Sequence, residues 1–587
     1  MENVTLKIDN QQVEVAAGTT ILEAAKMIGV EIPTLCYLKD LNEIGACRLC
    51  VVEIKGAKAL EAACLTEVAQ DMEVWTNTPS VREARRLNLE LIISNHPLEC
   101  PTCIRNTNCE LQKLAGTFGI REVRFPQVSV KRPADRSSPA IIQEPDKCIL
   151  CRRCVAICSK VQTVNAMAVH NKGSDLLVAP VSQLPLAETA CVQCGQCTLV
   201  CPTGALYEND QTEEVWAALA DPKKHVVVQT APATRVSLGE ELGMEPGAIV
   251  TGQMVAGLRR LGFDKVFDTD FSADLTIMEE GSELIHRIQT GGTLPMLTSC
   301  SPGWIKFIEH FYPELLPNLS TCKSPQQMLG TLTKTYYAEK AKIDPADIVM
   351  VSYMPCTAKK FEAQREEMTD SGYQDVDIVL TTREVGRMLR QSGIDFSSLP
   401  DEDYDDPLGI STGAGAIFGA TGGVMEAALR TAYELITEEE LADINFTAVR
   451  GLDGVKEATV EVGELTVKVA VAHSLGYARE LLDAVKRGAV DYHFIEIMCC
   501  PGGCIGGGGQ PIPTNLEIRG KRIAAIYTAD ERMSLRKSHL NPAIEELYKD
   551  FLKEPLGQKS HNLLHTHYTP REKPEPVKVP VAKKVLP

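Results

Sequence analysis

No stretch of this 587-residue sequence approaches the roughly 18 consecutive apolar residues that a membrane-spanning helix needs, which excludes a helical membrane span. The opening, Met1-Glu-Asn-Val-Thr-Leu-Lys-Ile-Asp, lacks the basic start and apolar stretch of a secretory signal, so a cytoplasmic setting is expected. Basic charge is also short. The formal net charge is -18, and metal-bound thiolates would make it more negative, whereas a nucleic-acid partner requires a basic face. No complete dinucleotide fingerprint stands in a strand-turn-helix context, so neither NAD(P) nor flavin is expected in this chain. Gly413-Ala-Gly-Ala and Thr421-Gly-Gly-Val read as turns or helix packing.

What is present in excess is cysteine. Hydrophobic (44%) and charged (24%) contents are ordinary for a globular protein, and the length suggests about four domains. Twenty-one cysteines are not ordinary. In a reducing compartment such thiols serve metal ligation rather than disulfides. Cys36, Cys47, Cys50 and Cys64 follow two strand-like segments and a short helix pattern near Ile21 to Ile28. That order is a ferredoxin-type β-grasp domain. The spacing departs from the plant-type pattern and resembles the N-terminal [2Fe–2S] domain of the large iron–sulfur subunit of respiratory complex I; zinc is the rival. His96, Cys100, Cys103 and Cys109 come after a helical stretch, Val81 to Ser94, with apolar Leu87, Leu89, Leu91 and Ile92. Their spacing resembles the His/Cys3 [4Fe–4S] site that follows in the same families, again with zinc as rival.

Two near-identical runs come next. Cys148-x2-Cys151-x2-Cys154-x3-Cys158 is repeated as Cys191-x2-Cys194-x2-Cys197-x3-Cys201-Pro202. In this two-cluster ferredoxin repeat the fourth cysteine crosses to the other cluster. One cubane is therefore expected on Cys148, Cys151, Cys154 and Cys201, and the other on Cys191, Cys194, Cys197 and Cys158.

Cys300, Cys322, Cys356, Cys499, Cys500 and Cys504 remain for a C-terminal domain in which short apolar runs alternate with helical patterns. The runs His225-Val-Val-Val-Gln, Leu294 to Leu297, Ile348 to Tyr353 and Tyr492 to Ile497 read as buried strands. The last three end at Thr298-Ser-Cys300-Ser301-Pro-Gly-Trp304, Met354-Pro-Cys356-Thr-Ala-Lys359 and Met498-Cys-Cys500-Pro-Gly-Gly-Cys504. Strand–helix alternation argues for parallel α/β layers, and ligands in such sheets collect at strand carboxyl ends. One shared site is expected there. Thr437-Glu-Glu-Glu reads as a helix N-cap.

These three segments resemble the H-cluster signatures of [FeFe]-hydrogenases, and the resemblance is close from about residue 225 to 565. It implies reversible oxidation of H2 to protons and electrons at an H-cluster, a [4Fe–4S] unit joined to a diiron subsite carrying CO, cyanide and azadithiolate. By the same resemblance Cys356, Cys500 and Cys504 bind the cubane, and Pro232, Met354, Lys359 and Met498 contact the diiron ligands. Glu280, Ser320 and Glu283 match the proton relay, with Arg287 nearby. Many family members have Cys-Cys-Pro where this sequence has Cys300-Ser301-Pro302. Strict register makes Cys300 the relay thiol and puts Ser301 at a ligand position; ligand chemistry favours Cys300 as the metal ligand. The sequence leaves both open. Cys322 and Cys499 read as buried thiols.

The expected cofactors are thus one [2Fe–2S], three [4Fe–4S] and the H-cluster. The expected domains are 1–78 (β-grasp), 79–138 (His/Cys3), 139–210 (two-cluster ferredoxin), 221–565 (two-lobed α/β hydrogenase) and a Pro/Lys-rich tail, 566–587. The layout resembles the catalytic subunits of multimeric NAD(P)-linked hydrogenases. That implies a separate flavin/NAD(P) subunit and a thioredoxin-like [2Fe–2S] subunit as partners. The rival readings are a complex I-like electron-transfer subunit and an H2-sensing or iron–sulfur protein without rapid turnover.

Overall fold

The structure, a computed structural model, describes residues 3–128, 131–441, 443–463 and 465–572. The chain opens with a hairpin, Asn3–Ile8 and Gln11–Ala16, whose alternating apolar residues Leu6, Ile8, Val13 and Val15 point into one core. Helix Ile21–Met27 is capped by the Thr20 hydroxyl. Strands Val51–Ile54, Glu61–Ala62 and Glu73–Trp75 complete a five-stranded mixed sheet in which Glu73–Trp75 lies parallel to the first strand. This is the β-grasp arrangement.

Helix Pro79–Ser94 follows, with Pro at its first position and Thr78 as N-cap. Its buried face includes Val81, Arg85, Leu89 and Ile93, a four-residue stagger, so of the apolar positions noted in the sequence Leu87 and Leu91 face outward. The ferredoxin repeat is held by two small antiparallel pairs, Ile141–Gln143 with Leu206–Glu208 and Met167–His170 with Leu177–Pro180.

The C-terminal part is two four-stranded sheets. The first is fully parallel, in the order Lys265–Asp268, His225–Thr230, Ile348–Met354, Ile378–Thr381. The second runs Met296–Leu297, Phe494–Met498, Leu465–His473, Val455–Val462, with only the last pair antiparallel. Helices cover both faces of the parallel sheet, and its strands are continuous apolar runs: Val226, Val227 and Val228 are buried. Burying each such side chain contributes roughly 1.5–3 kcal/mol. In each sheet the parallel strands run the same way, so their carboxyl ends deliver loops to one edge. The 298–304, 355–362 and 499–511 loops leave from those ends.

Two expectations need correction. Thr437 does not start a helix; it closes helix Gly423–Thr437, and Glu438 takes a left-handed conformation (φ 55°) that stops the turn. Its hydroxyl donates back to the Tyr433 carbonyl and accepts from the Glu439 amide at 3.2 Å, but no helix follows for it to cap. Nor does the domain end at 565: Thr566 N donates to Thr321 O and Arg571 pairs with buried Glu309, tying residues 566–571 to the C-terminal body. Of the Pro/Lys-rich tail, residues 573–587 lie outside the described residues.

Candidate functional site

At the N-terminal loop the cysteines fall into two sulfur–sulfur contacts, Cys36–Cys47 at 3.5 Å and Cys50–Cys64 at 3.2 Å. Two thiolates on one tetrahedral metal at about 2.3 Å lie roughly 3.8 Å apart. Two such pairs fit two irons. The hydrogen bond from Cys36 pulls the Cys47 thiol down to about 6, towards the ligating thiolate form.

His96, Cys100, Cys103 and Cys109 line one small cavity. His96 Nδ1 lies 2.8 Å from the Pro97 carbonyl, while buried Nε2 has no hydrogen-bond partner. An orphaned imidazole nitrogen is costly unless something binds it. Burial lowers the imidazole pKa and keeps the ring neutral, as ligation requires. A Cβ at Gly204 would come within 2.8 Å of Cys103 Sγ, so the glycine leaves the sulfur room. The residues fit a metal group. Replacing His96 by alanine should remove this group alone: iron per chain falls by about four if the group is a cubane, with the remaining cluster signals unchanged by electron paramagnetic resonance.

In the ferredoxin repeat the neighbouring charges follow the crossed pattern. Cys201 is the neighbour shared by Cys148, Cys151 and Cys154, and Cys158 neighbours Cys191 and Cys197. Burial drives Cys148, Cys151 and Cys191 up to about 12, a cost that metal-bound thiolates escape.

The four thiol sets adjoin one another through short contacts. Asn42 Nδ2 donates to the carbonyls of both Cys36 (2.7 Å) and Cys151 (2.9 Å). Glu110 N, next to Cys109, donates to Pro202 O, next to Cys201, at 3.0 Å. Both N-terminal sites therefore abut the set built on Cys148, Cys151, Cys154 and Cys201. On the far side, Thr357 Oγ1 donates to Gln193 O at 2.7 Å, and Gln196 Nε2 to Gly506 O at 2.8 Å. The Cys191 set thus touches the C-terminal motifs.

Those motifs converge. Cys300, Ser301, Met354, Cys356, Lys359, Met498, Cys499, Cys500 and Cys504 line a single cavity of about 80 Å³, bounded also by Ala231, Pro232, Thr269, Ala273 and Phe418. Cys500 and Cys504, after burial, act most strongly on the Cys356 thiol, and burial pushes Cys504 up to about 12. Gly507 and Gly509 pack against the Pro355 backbone at distances that leave no space for a Cβ, which is why the glycine run is needed. Lys359 Nζ is fixed by Glu362 (2.7 Å), Ser324 (2.8 Å) and the Cys300 carbonyl (3.1 Å). A buried ammonium aimed into an apolar, thiol-lined pocket suits an anionic ligand. The donor set, three thiols with a cation opposite, fits an iron–sulfur group with anionic ligands.

Behind Cys300 lies the carboxylate chain. Helix Thr269–Thr290 presents Glu280 and Glu283 on one face. Burial, then the Glu283 charge, raises Glu280 to about 8, and its carboxyl bonds Ser320. Ser320 Oγ donates to Glu283 Oε2 at 3.0 Å, and Glu283 Oε1 meets Arg287 Nη2 at 2.5 Å. Sequence reasoning missed the support of this chain. Thr321 bonds Glu283 and also His565 Nδ1 (2.8 Å), whose Nε2 lies 3.2 Å from Glu279. It also missed Ser324 and Gln326, which orient Glu362; only the Lys359-x2-Glu362 spacing could have hinted at that pair.

Residues 224–508 match the model of the iron only hydrogenase large subunit, C-terminal domain, and 516–571 that of the iron hydrogenase small subunit. Residues 1–79 match a 2Fe-2S iron-sulfur cluster binding domain, 85–124 the NADH-ubiquinone oxidoreductase-G iron-sulfur binding region, and 147–205 a 4Fe-4S dicluster domain. The chain is similar to the NADP-reducing hydrogenase subunit HndD of Solidesulfovibrio fructosivorans, at 52% identity over 98% of this chain and 100% of that one. Iron hydrogenase 1 of Clostridium pasteurianum is 42% identical over 96% and 99%. Among solved structures, an apo [FeFe]-hydrogenase from Chlamydomonas reinhardtii shares 47% identity over 62% of this chain and 99% of that one, with a TM-score of 0.56.

Proposed function

The chain belongs to the iron-only, or [FeFe], hydrogenase family and is an oxidoreductase acting on H2 through iron–sulfur clusters; from this premise we propose that it exchanges electrons with a partner subunit that uses NAD(P). The observation that supports the catalytic reading is the convergence of Cys356, Cys500, Cys504 and Lys359 on one cavity of mostly apolar lining. Cys356, Cys500 and Cys504 would hold the cubane of the H-cluster, and Pro232, Met354, Lys359 and Met498 would surround its diiron part. When bound, that group supplies the interconversion of H2 with two protons and two electrons. The chain's own residues do the rest. Lys359 offers its ammonium to anionic ligands and is kept in place by Glu362. Met354, Met498, Pro232 and Phe418 exclude water. Cys300 stands beside Glu280 and passes protons along Glu280, Ser320 and Glu283 towards Arg287.

The cofactor complement that fits the ligand sets is one [2Fe–2S], three [4Fe–4S] and the H-cluster. Two N-terminal sites abutting one ferredoxin set suit two electron entrances, more than a single donor requires. Partners carrying a flavin/NAD(P) site and a thioredoxin-like [2Fe–2S] domain suit these entrances; the relative named as NADP-reducing supports this. No helix among the described residues is long and apolar enough to cross a membrane, and we place the enzyme in the cytoplasm.

Infrared spectra of anaerobically matured protein are the test. Bands from CO and cyanide on iron are expected, and they should vanish in Cys504→Ala. A matured, iron-replete chain without such bands would reduce it to an electron-transfer or sensory protein. Anoxic co-purification with a flavoprotein tests the partner.

A further inference from the structure

A [4Fe–4S] cluster takes four ligands, most often cysteines, and only Cys356, Cys500 and Cys504 are accounted for at the cavity. We propose that the fourth ligand is Cys499, and that Ser301 holds the Cys499 backbone without touching iron. This rests on the H-cluster reading above and goes beyond it by assigning the missing ligand.

Three side chains compete for the role. Cys300 lines the cavity on its carboxylate side: Glu280 acts on its thiol more strongly than Cys504 does, and its carbonyl accepts from Lys359 Nζ at 3.1 Å. Its sulfur belongs to the proton path. Ser301 lines the cavity but offers a hydroxyl, and iron–sulfur clusters select the softer thiolate. Its oxygen is moreover engaged, accepting from the Cys499 amide at 3.2 Å. Cys499 offers a thiol where Ser301 does not. It is 3% exposed, lines the same cavity, and its sulfur is within hydrogen-bonding reach of Cys500 Sγ and Cys194 Sγ. The backbone makes room for it. A Cβ at Gly303 would fall 2.7 Å from Cys499 Sγ, so no larger residue fits there without moving the sulfur. The serine at 301 and the extra cysteine at 499 are thus one paired feature: the thiol has moved across the contact that joins the two loops.

The exchange has a consequence for wiring. Cys194 belongs to the adjacent ferredoxin-type set, so a ligand of one cluster lies against a ligand of the next with no intervening side chain.

The test uses full-length protein produced without diiron maturation, so that the cubane is the group in question. Iron and sulfide per chain and the reduced-state paramagnetic resonance spectrum are read anoxically, with circular dichroism and the [2Fe–2S] signal reporting folding. Cys499→Ala should lose about four irons, Ser301→Ala and Cys300→Ala should keep them, and the double variant Ser301→Cys/Cys499→Ala should regain them. Full iron in Cys499→Ala overturns the assignment, as does loss confined to Ser301→Ala or Cys300→Ala. If Cys499→Ala does not fold, the double variant decides: four irons regained in a folded chain supports the exchange, and their absence refutes it. Cys356→Ala is the separate control, because full iron there removes the H-cluster reading itself.

Discussion

Glu280→Gln is expected to lower H2 oxidation and evolution by about 10²–10⁴-fold, the range a positioned proton carrier contributes, while every cluster signal stays at wild-type intensity. Glutamine keeps the shape and the Ser320 contact but cannot release a proton. Dye-linked H2 uptake together with paramagnetic resonance of the same sample checks this, and wild-type turnover in that variant would remove Glu280 from the path. A second readout follows from burial. Desolvation first, and then the Glu283 charge, raise the Glu280 carboxyl from 4.5 to about 8. Between those values the folded chain binds a proton that the unfolded chain has released. Stability contributed by that difference is present below 4.5 and is lost as pH rises through about 8. Glu280→Gln should therefore lose less thermal stability than wild type over that interval, a difference that a purely kinetic role would not produce.

Arg383→Ala should cost about 1–3 kcal/mol for each buried acceptor it strands, although Glu208 keeps its second partner, Arg387, at 2.9 Å. Arg383 opens helix Thr382–Gln391, and its guanidinium reaches three parts of the chain at once. It donates to Glu208 on the ferredoxin strand (2.7 and 3.0 Å), to the Gln510 and Gly508 carbonyls of the glycine run (2.6 and 2.9 Å), and to Thr198 (3.3 Å). Arg383 and Glu208 side chains are 6% and 3% exposed, so water cannot replace the lost partners. Burial alone would raise Glu208, but Arg383 and Arg387 outweigh it and hold the carboxyl well below the usual range. The associated stability is present above the ordinary glutamate pKa and is lost as pH falls through the depressed one; removing Arg383 should blunt that acid sensitivity. Because the chain has several domains, the measurement is the first unfolding transition and the rate of proteolysis between residues 208 and 225. Arg383→Lys, with its charge but not its fork, should fall between the two. An unchanged first transition in Arg383→Ala would show that the ferredoxin repeat and the catalytic body are held together elsewhere.

Much of this molecule was legible before any coordinates. The Cys-x2-Cys spacings are local: ligands two or three residues apart reach one cluster whatever surrounds them, so the ferredoxin repeat and its crossed pairing stand in the sequence. The apolar runs ending at residues 300, 356 and 500 likewise announced strands whose carboxyl ends share an edge. Local signals failed where both alternatives were locally sound. Thr437 before three glutamates satisfies an N-cap pattern, yet tertiary packing extends the preceding helix to it. Leu87 and Leu91 are apolar but point to solvent because Leu89 takes the core face.

Sequence alone determined which residues can bind metal and how many strands carry them to an edge, since spacing and alternation are properties of the chain itself. Only the tertiary structure decided which partners the thiols of the C-terminal motifs meet. Cys300 against Glu280, Cys499 against Ser301 and Cys194, and Arg383 across three segments are contacts between residues up to several hundred positions apart. No local periodicity encodes them, because they arise from how two sheets and a ferredoxin unit close around a common cavity.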